Sequence, residues 1–539
     1  MKREHLILIV IIVLGAFLRF YRLDGEYVHL LDSYGRLSET LSIIHFQKFS
    51  YGYIHSPGLA LALVPFALIN ESIIANQIGI ALYGIGTIFL SFFIVKIFFP
   101  EKKYSPLIVA FLVAINPSFV ALSKTVMYDI VMLFYIMLAI LTTKIVSEKR
   151  SYLYSSLHFI LLFFLVLQKP TNLIFFPVSF IYIVIKRMNP QKISLNEFVT
   201  LLKTKKSYLK DVGIGLVIFL ILYSWYLYRF PGIKSAYTSF GGTAFFEGGY
   251  YYQNIRATII LLLSPINTPA TNIYFAGQVF GMGNELLWRI FLGIPQIFIL
   301  IFGIFYSRKK LNCIFLLSIL MSYSLFFLNY TNWVFRHLAP AVFIQLLFIS
   351  IGAEAIISSY KSFKIDNKVI LSYILVVLFL SVAYSGKILY NMENRWGEKD
   401  SLRYNYIVID PNDAVYILEK AQEKNVSLIV STYGMWLDYY IMKDDIKIES
   451  LDLIRYSSDY GFKEDRLVES INSKIKNNEK VWYIYGWPEG YEKCGMEFFY
   501  NRISENFIME EVYKGNMSYI DKKGNLQNSF IVYELNLKK

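Results

Sequence analysis

The chain has 539 residues, of which 55% are hydrophobic, 17% aromatic and only 17% charged, whereas charged residues make up about a quarter of an ordinary soluble domain. This balance excludes a wholly soluble globular protein and makes the lipid bilayer the solvent of most of the chain. The net charge of +13 is no argument for nucleic acid, because many Lys and Arg residues fall in short loops where retention on the cytoplasmic side already accounts for them.

A hydrocarbon core about 30 Å thick takes roughly 20 mostly apolar residues per helix, and such stretches fill most of the first 390 residues. The first, Leu6 to Phe20, follows Lys2 and Arg3, and Arg19, Tyr21 and Arg22 stand where a signal peptide would carry small residues for cleavage. It reads as an uncleaved span. Further spans are predicted over 75–99, 105–122, 127–146, 153–168, 171–186, 211–229, 285–306, 311–328, 334–353 and 368–387, about eleven in all.

Alternate connections carry the positive charge: Lys102 and Lys103; Lys144, Lys149 and Arg150; Lys186 to Lys210; Arg308 to Lys310; Lys361 to Lys368. The positive-inside rule makes these cytoplasmic. The segment 22–74, the turns near 123 and 169, the loop 230–284 and the turn at Asn329 to Asn332 then face outward, as does everything after about residue 390. The expected protein is a multi-pass component of the cell membrane with a cytoplasmic N-terminus and an extracytoplasmic C-terminal domain. Asn-x-Ser/Thr sequons at Asn70, Asn329, Asn425 and Asn516 all fall on that outer side. Cys313 and Cys494 are the only cysteines, and their predicted places on opposite sides of the membrane preclude a disulfide between them.

Two domains are expected: a membrane domain over 1–390, with outer loops 22–74 and 230–284, and a soluble α/β domain over 391–539. In the tail, Asp413 to Lys424 has helical spacing, and Ser427 to Ser431, Lys480 to Tyr485 and Phe530 to Leu535 read as strands. The outer loops are too long for tight turns, which makes them places to look for chemistry. Leu31 to Phe46 and Leu59 to Ile69 are amphipathic stretches suited to lie along the membrane interface.

Ionisable groups at the edge of a span are costly and suggest function. Asp32, His55, Asp129, Lys169 and Arg336 are all predicted at the outer face. Two carboxylates, a His and two cations at one depth suit a phosphate-bearing lipid and a hydroxyl acceptor: cations neutralise the phosphate while a carboxylate takes the proton. Taken singly, a charge at a span end is more often a snorkelling anchor, and a lone His beside Ser-Pro is more often a turn residue.

In order along the chain, LLDSYGRLSETL, YIHSPGLALALVPFALI, NPSFVALSKTVMYDIVMLFYIML, LQKPTNLIFFP and FRHLAPAVF resemble the membrane-domain signature of the GT-C superfamily of glycosyltransferases, in particular its protein O-mannosyltransferase and aminoarabinose-transferase-like branch. The resemblance implies a membrane α-helical fold of GT-C type followed by a C-terminal soluble α/β domain. It also implies an inverting transfer of mannose or a related hexose from a polyprenyl or dolichyl phosphate to an acceptor hydroxyl of a protein, a glycan or a lipid. It assigns the catalytic carboxylate to Asp32, with Ser33 in place of the family's second acid and Asp129 as its partner from the second outer loop. His55, which precedes Ser56 where the family has a proline, and Lys169, Arg336 and Lys124 would bind the substrate. Asp32, Asp129 and His55 are the residues that would hold a divalent ion, for which Mg, Mn or Zn are all suitable.

Three rivals stand beside this reading. An oligosaccharyltransferase would share the membrane architecture, but the tail offers only MWLDYY around Trp436 and Asp438. A transporter would show paired inverted repeats and broken mid-membrane helices, and neither is evident. A non-catalytic membrane scaffold is compatible with Ser33.

Overall fold

The structure is a computed structural model, and it describes residues 3–21, 23, 31–46, 57–188, 209–229, 265–267, 283–307, 310–328, 338–359, 369, 372, 376–387, 408–409, 411–431, 434–453, 464–485, 496–515, 517–520, 526–527 and 530–538. Helices α1 (Arg3–Phe20), α2 (Leu31–Ile44), α3 (Gly58–Ala67), α4 (Ile73–Phe98), α5 (Ser105–Ile115), α6 (Pro117–Leu122), α7 (Tyr128–Glu148), α8 (Tyr152–Gln168) and α9 (Phe175–Met188) are followed by α10 (Lys210–Arg229), α11 (Gly283–Tyr306), α12 (Lys310–Leu328) and α13 (Ala339–Ser359). A further helix, α14, covers Val376–Lys387.

Every stretch predicted as a span contains one of these helices. Length and composition single out five of them as able to cross a bilayer: Ile73–Phe98, Tyr128–Glu148, Pro170–Met188, Lys210–Tyr228 and Ala339–Ser358. Among the described residues that criterion picks out five crossings, and at two of the other predicted spans the sequence gives a local reason. In α1, Arg3, Glu4 and Arg19 interrupt 18 residues. The stretch 105–122 is not one helix, because Asn116 precedes Pro117 and takes the extended conformation (φ −62°, ψ 121°) that a following proline imposes. Asn116 then caps α6 by accepting from Phe119 N, and its amide donates to the Pro265 and Ile266 carbonyls at 2.9 and 3.3 Å.

The chain divides into two units, one of residues 1–22, 53–59 and 78–392, the other of 23–52, 60–77 and 393–539. In the first, α1 lies against α5, α5 against α13, α7 against α8 and α9, α10 against α8, α11 against α13, and α12 against α9 and α13. With lipid on the outside, such contacts depend on close approach and on internal hydrogen bonds. Both devices are present. A Cβ on Gly303 would strike the Phe348 carbonyl oxygen, and one on Gly352 that of Ile299, so α11 and α13 meet backbone to backbone. Gly352→Leu is therefore expected to destabilise the protein by about 1–3 kcal/mol or more, seen as a lower midpoint of heat-induced aggregation in detergent.

The Glu354 carboxylate on α13 accepts from the backbone N–H groups of Lys103, Tyr104 and Ser105 (2.8, 2.9 and 2.5 Å) and from the Ser105 hydroxyl at 2.6 Å. It satisfies the open donors at the start of α5 and places a negative charge at the positive end of that helix. Arg19, wholly buried, ties α1 to the next helices: Nε donates to Ser123 Oγ at 3.2 Å, one terminal nitrogen to the Gly15 and Ala114 carbonyls at 3.0 Å, the other to that of Val113 at 3.2 Å. Buried Arg187 pairs with Asp211 on α10, which also accepts from the Ser155 hydroxyl. Cys313 is buried and free of disulfide; Cys494 lies outside the described residues.

The second unit holds the sheet expected in the tail. Its elements are β1 (Val408–Ile409), α15 (Pro411–Glu423), β2 (Val426–Ser431), α16 (Gly434–Lys443), β3 (Glu449–Asp452), α17 (Glu464–Lys476), β4 (Lys480–Tyr485), α18 (Met496–Asn506), β5 (Phe507–Gly515), β6 (Met517–Ile520), β7 (Leu526–Gln527) and β8 (Phe530–Leu537). The main sheet has the order β3-β2-β4-β8-β5, and a smaller one β1-β6-β7. Strands β3, β2 and β4 are parallel, with Ile429 opposite Trp482; β8 pairs antiparallel with β4, with Tyr483 opposite Tyr533, and antiparallel with β5 on its other side. The parallel strands are the ones joined through helices, as a crossover requires. Leu428, Val430, Ile471, Val481, Phe499 and Leu535 form the core beneath the sheet.

Candidate active site

In the first unit, two of the residues expected at the site, Asp129 and Lys169, lie on two neighbouring turns. At the end of α8, Lys169 precedes Pro170, takes the extended conformation (φ −157°, ψ 126°) and ends the helix, and a short 3-10 turn over Pro170–Ile174 leads into α9. Asn172 holds this turn, donating to the Leu165 carbonyl at 3.0 Å and accepting from the Tyr323 hydroxyl at 2.9 Å. The Lys169 ammonium is thereby directed at Tyr128, donating to its hydroxyl at 3.3 Å and lying 5.2 Å from its ring centre.

Tyr128 and Asp129 open α7. Asp129 occupies the first turn of that helix, where a carboxylate meets the positive end of the dipole, and is fully buried. Lys169 and Asp129 thus stand at neighbouring helix ends, one contacting the residue beside the other. Lys124, also fully buried, donates to the Tyr21 carbonyl at 2.7 Å and sits 6.0 Å from the Tyr21 ring. It caps the outgoing end of α1 as well as preceding Asp129.

Gly58 explains why two separated motifs belong together. A Cβ there would collide with the Leu167 carbonyl and the Gln168 nitrogen, so the start of α3 meets the end of α8 only because residue 58 is glycine. His55, three residues earlier in that segment, lies outside the described residues, and so does Arg336.

In the second unit, Asp32 is on α2, and its side chain is outside the described residues. What holds that helix is clear. Tyr34 meets Tyr439 and Tyr440 of α16 at ring-centre distances of 5.9 and 6.2 Å, Arg36 and Glu39 form a buried ion pair at 2.9 Å, and residues 34–42 are all buried. The helix expected at the membrane interface therefore spends its surface on protein packing. The Tyr439 hydroxyl donates to the Glu71 carbonyl at 3.1 Å, and His45 pairs with the Glu71 carboxylate at 3.1 Å. Burial raises the Tyr439 phenol well above its ordinary pKa, which keeps it a hydrogen-bond donor across the working range of pH.

Sequence reading missed Tyr439; the signal available was three aromatic residues, Trp436, Tyr439 and Tyr440, on one short helix. Tyr439 and Tyr440 act as positioning residues for α2. Tyr439→Ala is expected to cost about 3–5 kcal/mol of stability and, by loosening the helix that carries Asp32, to lower the rate of any reaction using that carboxylate by about 10²-fold. Tyr439→Phe, which keeps the ring, should retain most of both. Thermal unfolding and initial-rate measurements on the two variants separate these effects.

Asp32, Asp129 and His55 were the residues expected to hold a divalent ion. Among the described residues no group of three His, Cys, Asp or Glu side chains comes together, and of the three only Asp129 has a described side chain. The described donor set, a single buried carboxylate, does not by itself make a divalent-ion site.

The sequence matches no protein-family model and no curated protein. Its fold does have solved counterparts. The oligosaccharyltransferase of Archaeoglobus fulgidus, solved with a tethered acceptor peptide, matches with a TM-score of 0.53 at 12% identity, over 98% of this chain and 74% of that one. ArnT of Cupriavidus metallidurans matches in the apo state with a TM-score of 0.57 at 10% identity, over 98% of this chain and 97% of that one. The same protein bound to undecaprenyl phosphate matches at 0.53 with equal coverage. The chain shares the fold of these two proteins.

Proposed function

We propose that the protein is an integral-membrane glycosyltransferase that moves a sugar, mannose or a related hexose, from a polyprenyl or dolichyl phosphate to an acceptor hydroxyl at the outer face of the membrane. The observation that carries this is the Lys169–Tyr128 contact beside the buried Asp129, a cation and a carboxylate held at adjacent helix ends on a GT-C fold. The N-terminus is assigned to the cytoplasm, and residues 391–539 to an extracytoplasmic domain that shapes acceptor choice.

In the reaction, Asp32 accepts the proton of the acceptor hydroxyl as its oxygen attacks the anomeric carbon from the side opposite the phosphate. The bond from that carbon to the phosphate oxygen breaks, and the electron pair leaves with the lipid phosphate, so configuration inverts. Lys169, Arg336, Lys124 and His55 stabilise the departing charge. Phosphate is already a good leaving group, so positioning and charge are what the protein supplies. A divalent ion bound by Asp32, Asp129 and His55 would add Lewis-acid stabilisation of the phosphate.

The test is sugar transfer by purified full-length protein from dolichyl-phosphate mannose and glucose to a panel of peptide, glycan and lipid acceptors, with and without chelator. Transfer with inversion supports the reading, and loss on chelation restored by Mg, Mn or Zn supports the ion. Binding of donor without transfer to any acceptor favours a scaffold. The oligosaccharyltransferase reading, favoured by the tethered-peptide relative, predicts instead that a lipid-linked oligosaccharide is the better donor.

A further inference from the structure

The turn that carries Lys169 contains two shielded polar groups that no described residue pairs. The Gln168 side chain is 3% exposed, and neither its Nε2 nor its Oε1 has a hydrogen-bond partner among the described residues. The Thr171 hydroxyl, on the other side of Lys169, is likewise shielded and unpaired there. Asn172, by contrast, uses both ends of its amide to hold the turn. Asn172 is therefore the structural amide of this turn, and Gln168 is a second one that no described residue uses.

A buried donor or acceptor left unpaired costs about 1–3 kcal/mol, and unpaired groups in native proteins call for an explanation. A carboxamide offers two donors and an acceptor, and a hydroxyl offers both roles. A phosphate, which only accepts, would satisfy the donors but leave the Gln168 carbonyl oxygen unpaired, and an alkyl tail would satisfy neither. The set suits neighbouring hydroxyls, which donate and accept in turn. We propose that Gln168 and Thr171 are the subsite for the sugar hydroxyls of the donor, flanking Lys169, which takes the phosphate. The proposal rests on the glycosyltransferase reading and adds to it the residues that distinguish a glycosylated lipid phosphate from a bare one.

The experiment measures the affinity of purified full-length protein in detergent for polyprenyl phosphate and for its mannosyl and glucosyl esters, in the wild type, Gln168→Leu, Gln168→Glu and Thr171→Val. Gln168→Leu should reduce the preference for the glycosylated lipids by about tenfold or more, leave binding of bare lipid phosphate unchanged, and not lower the thermal midpoint. Gln168→Glu, which keeps size but loses the amide donors, covers the case in which the leucine variant misfolds; its charge repels the phosphate of both lipids, so it is read as a ratio, and the sugar esters should lose more than the bare lipid. An unchanged preference in variants of a wild type that binds both lipids overturns the subsite and spares the glycosyltransferase reading. An equal loss for bare and glycosylated lipid shows a structural role and also overturns it. A wild type that binds no glycosylated lipid overturns both.

Discussion

Asp32→Asn is expected to reduce sugar transfer by about 10²–10⁴-fold, the usual contribution of a positioned general base, while donor binding and the thermal midpoint stay at wild-type values. Asparagine matches the carboxylate in shape, so α2 and its ring contacts through Tyr34 are kept. Only the capacity to take a proton is lost. The size of the drop follows from the loop itself: Ser33 stands next to Asp32 where a second acid would offer a substitute base, so no neighbouring carboxylate in LLDSYG rescues the reaction. Initial rates with a saturating donor measure it. An asparagine variant that transfers at the wild-type rate would move the base to another residue, with Asp129→Asn as the next variant to assay.

The second large effect is expected for Lys169→Met, which removes an ammonium but keeps an unbranched side chain. Loss of one charge-assisted contact to a phosphate costs about 1.5–3 kcal/mol, so affinity for polyprenyl phosphate should fall by roughly 10–100-fold. Tyr128→Phe provides the control. It deletes the hydroxyl that Lys169 contacts at 3.3 Å but keeps the ring 5.2 Å from the ammonium, and should cost only a few-fold. Direct binding of the lipid phosphate reads both. If both variants bind as the wild type does, Lys169 is an interfacial anchor, and the phosphate-binding role passes to Arg336.

Much of the architecture was legible in the residues because the bilayer leaves few options: long apolar runs must become helices, and these runs did. The strands Ser427 to Ser431, Lys480 to Tyr485 and Phe530 to Leu535 were visible for the related reason that short β-rich runs bounded by charged residues rarely fold otherwise. The break at Asn116 was written in the Asn-Pro pair, yet hydropathy averages over it. The pairing of Tyr34 with Tyr439 was not legible at all, since residues some four hundred positions apart leave no trace in local periodicity. For the site, Asp129 and Lys169 stood out because a charge at a helix end is costly. Gln168 did not, because an uncharged amide costs too little in the sequence to draw notice and becomes informative only once its burial is known.

Arg19 has a consequence for how the protein is made. Its partners Val113, Ala114 and Ser123 are supplied by chain 94–104 residues further on, so for much of early synthesis the guanidinium has none of its interhelical acceptors. An unpartnered arginine at a helix end keeps its head group at the membrane surface, which holds the first helix high in the bilayer. Insertion of α5 then provides the Val113 and Ala114 carbonyls, the residue after α6 adds the Ser123 hydroxyl, and α1 settles inward as this third predicted span arrives. The first helix to be synthesised is thus not the first to be seated: the fold assembles by waiting, with a single side chain setting the order.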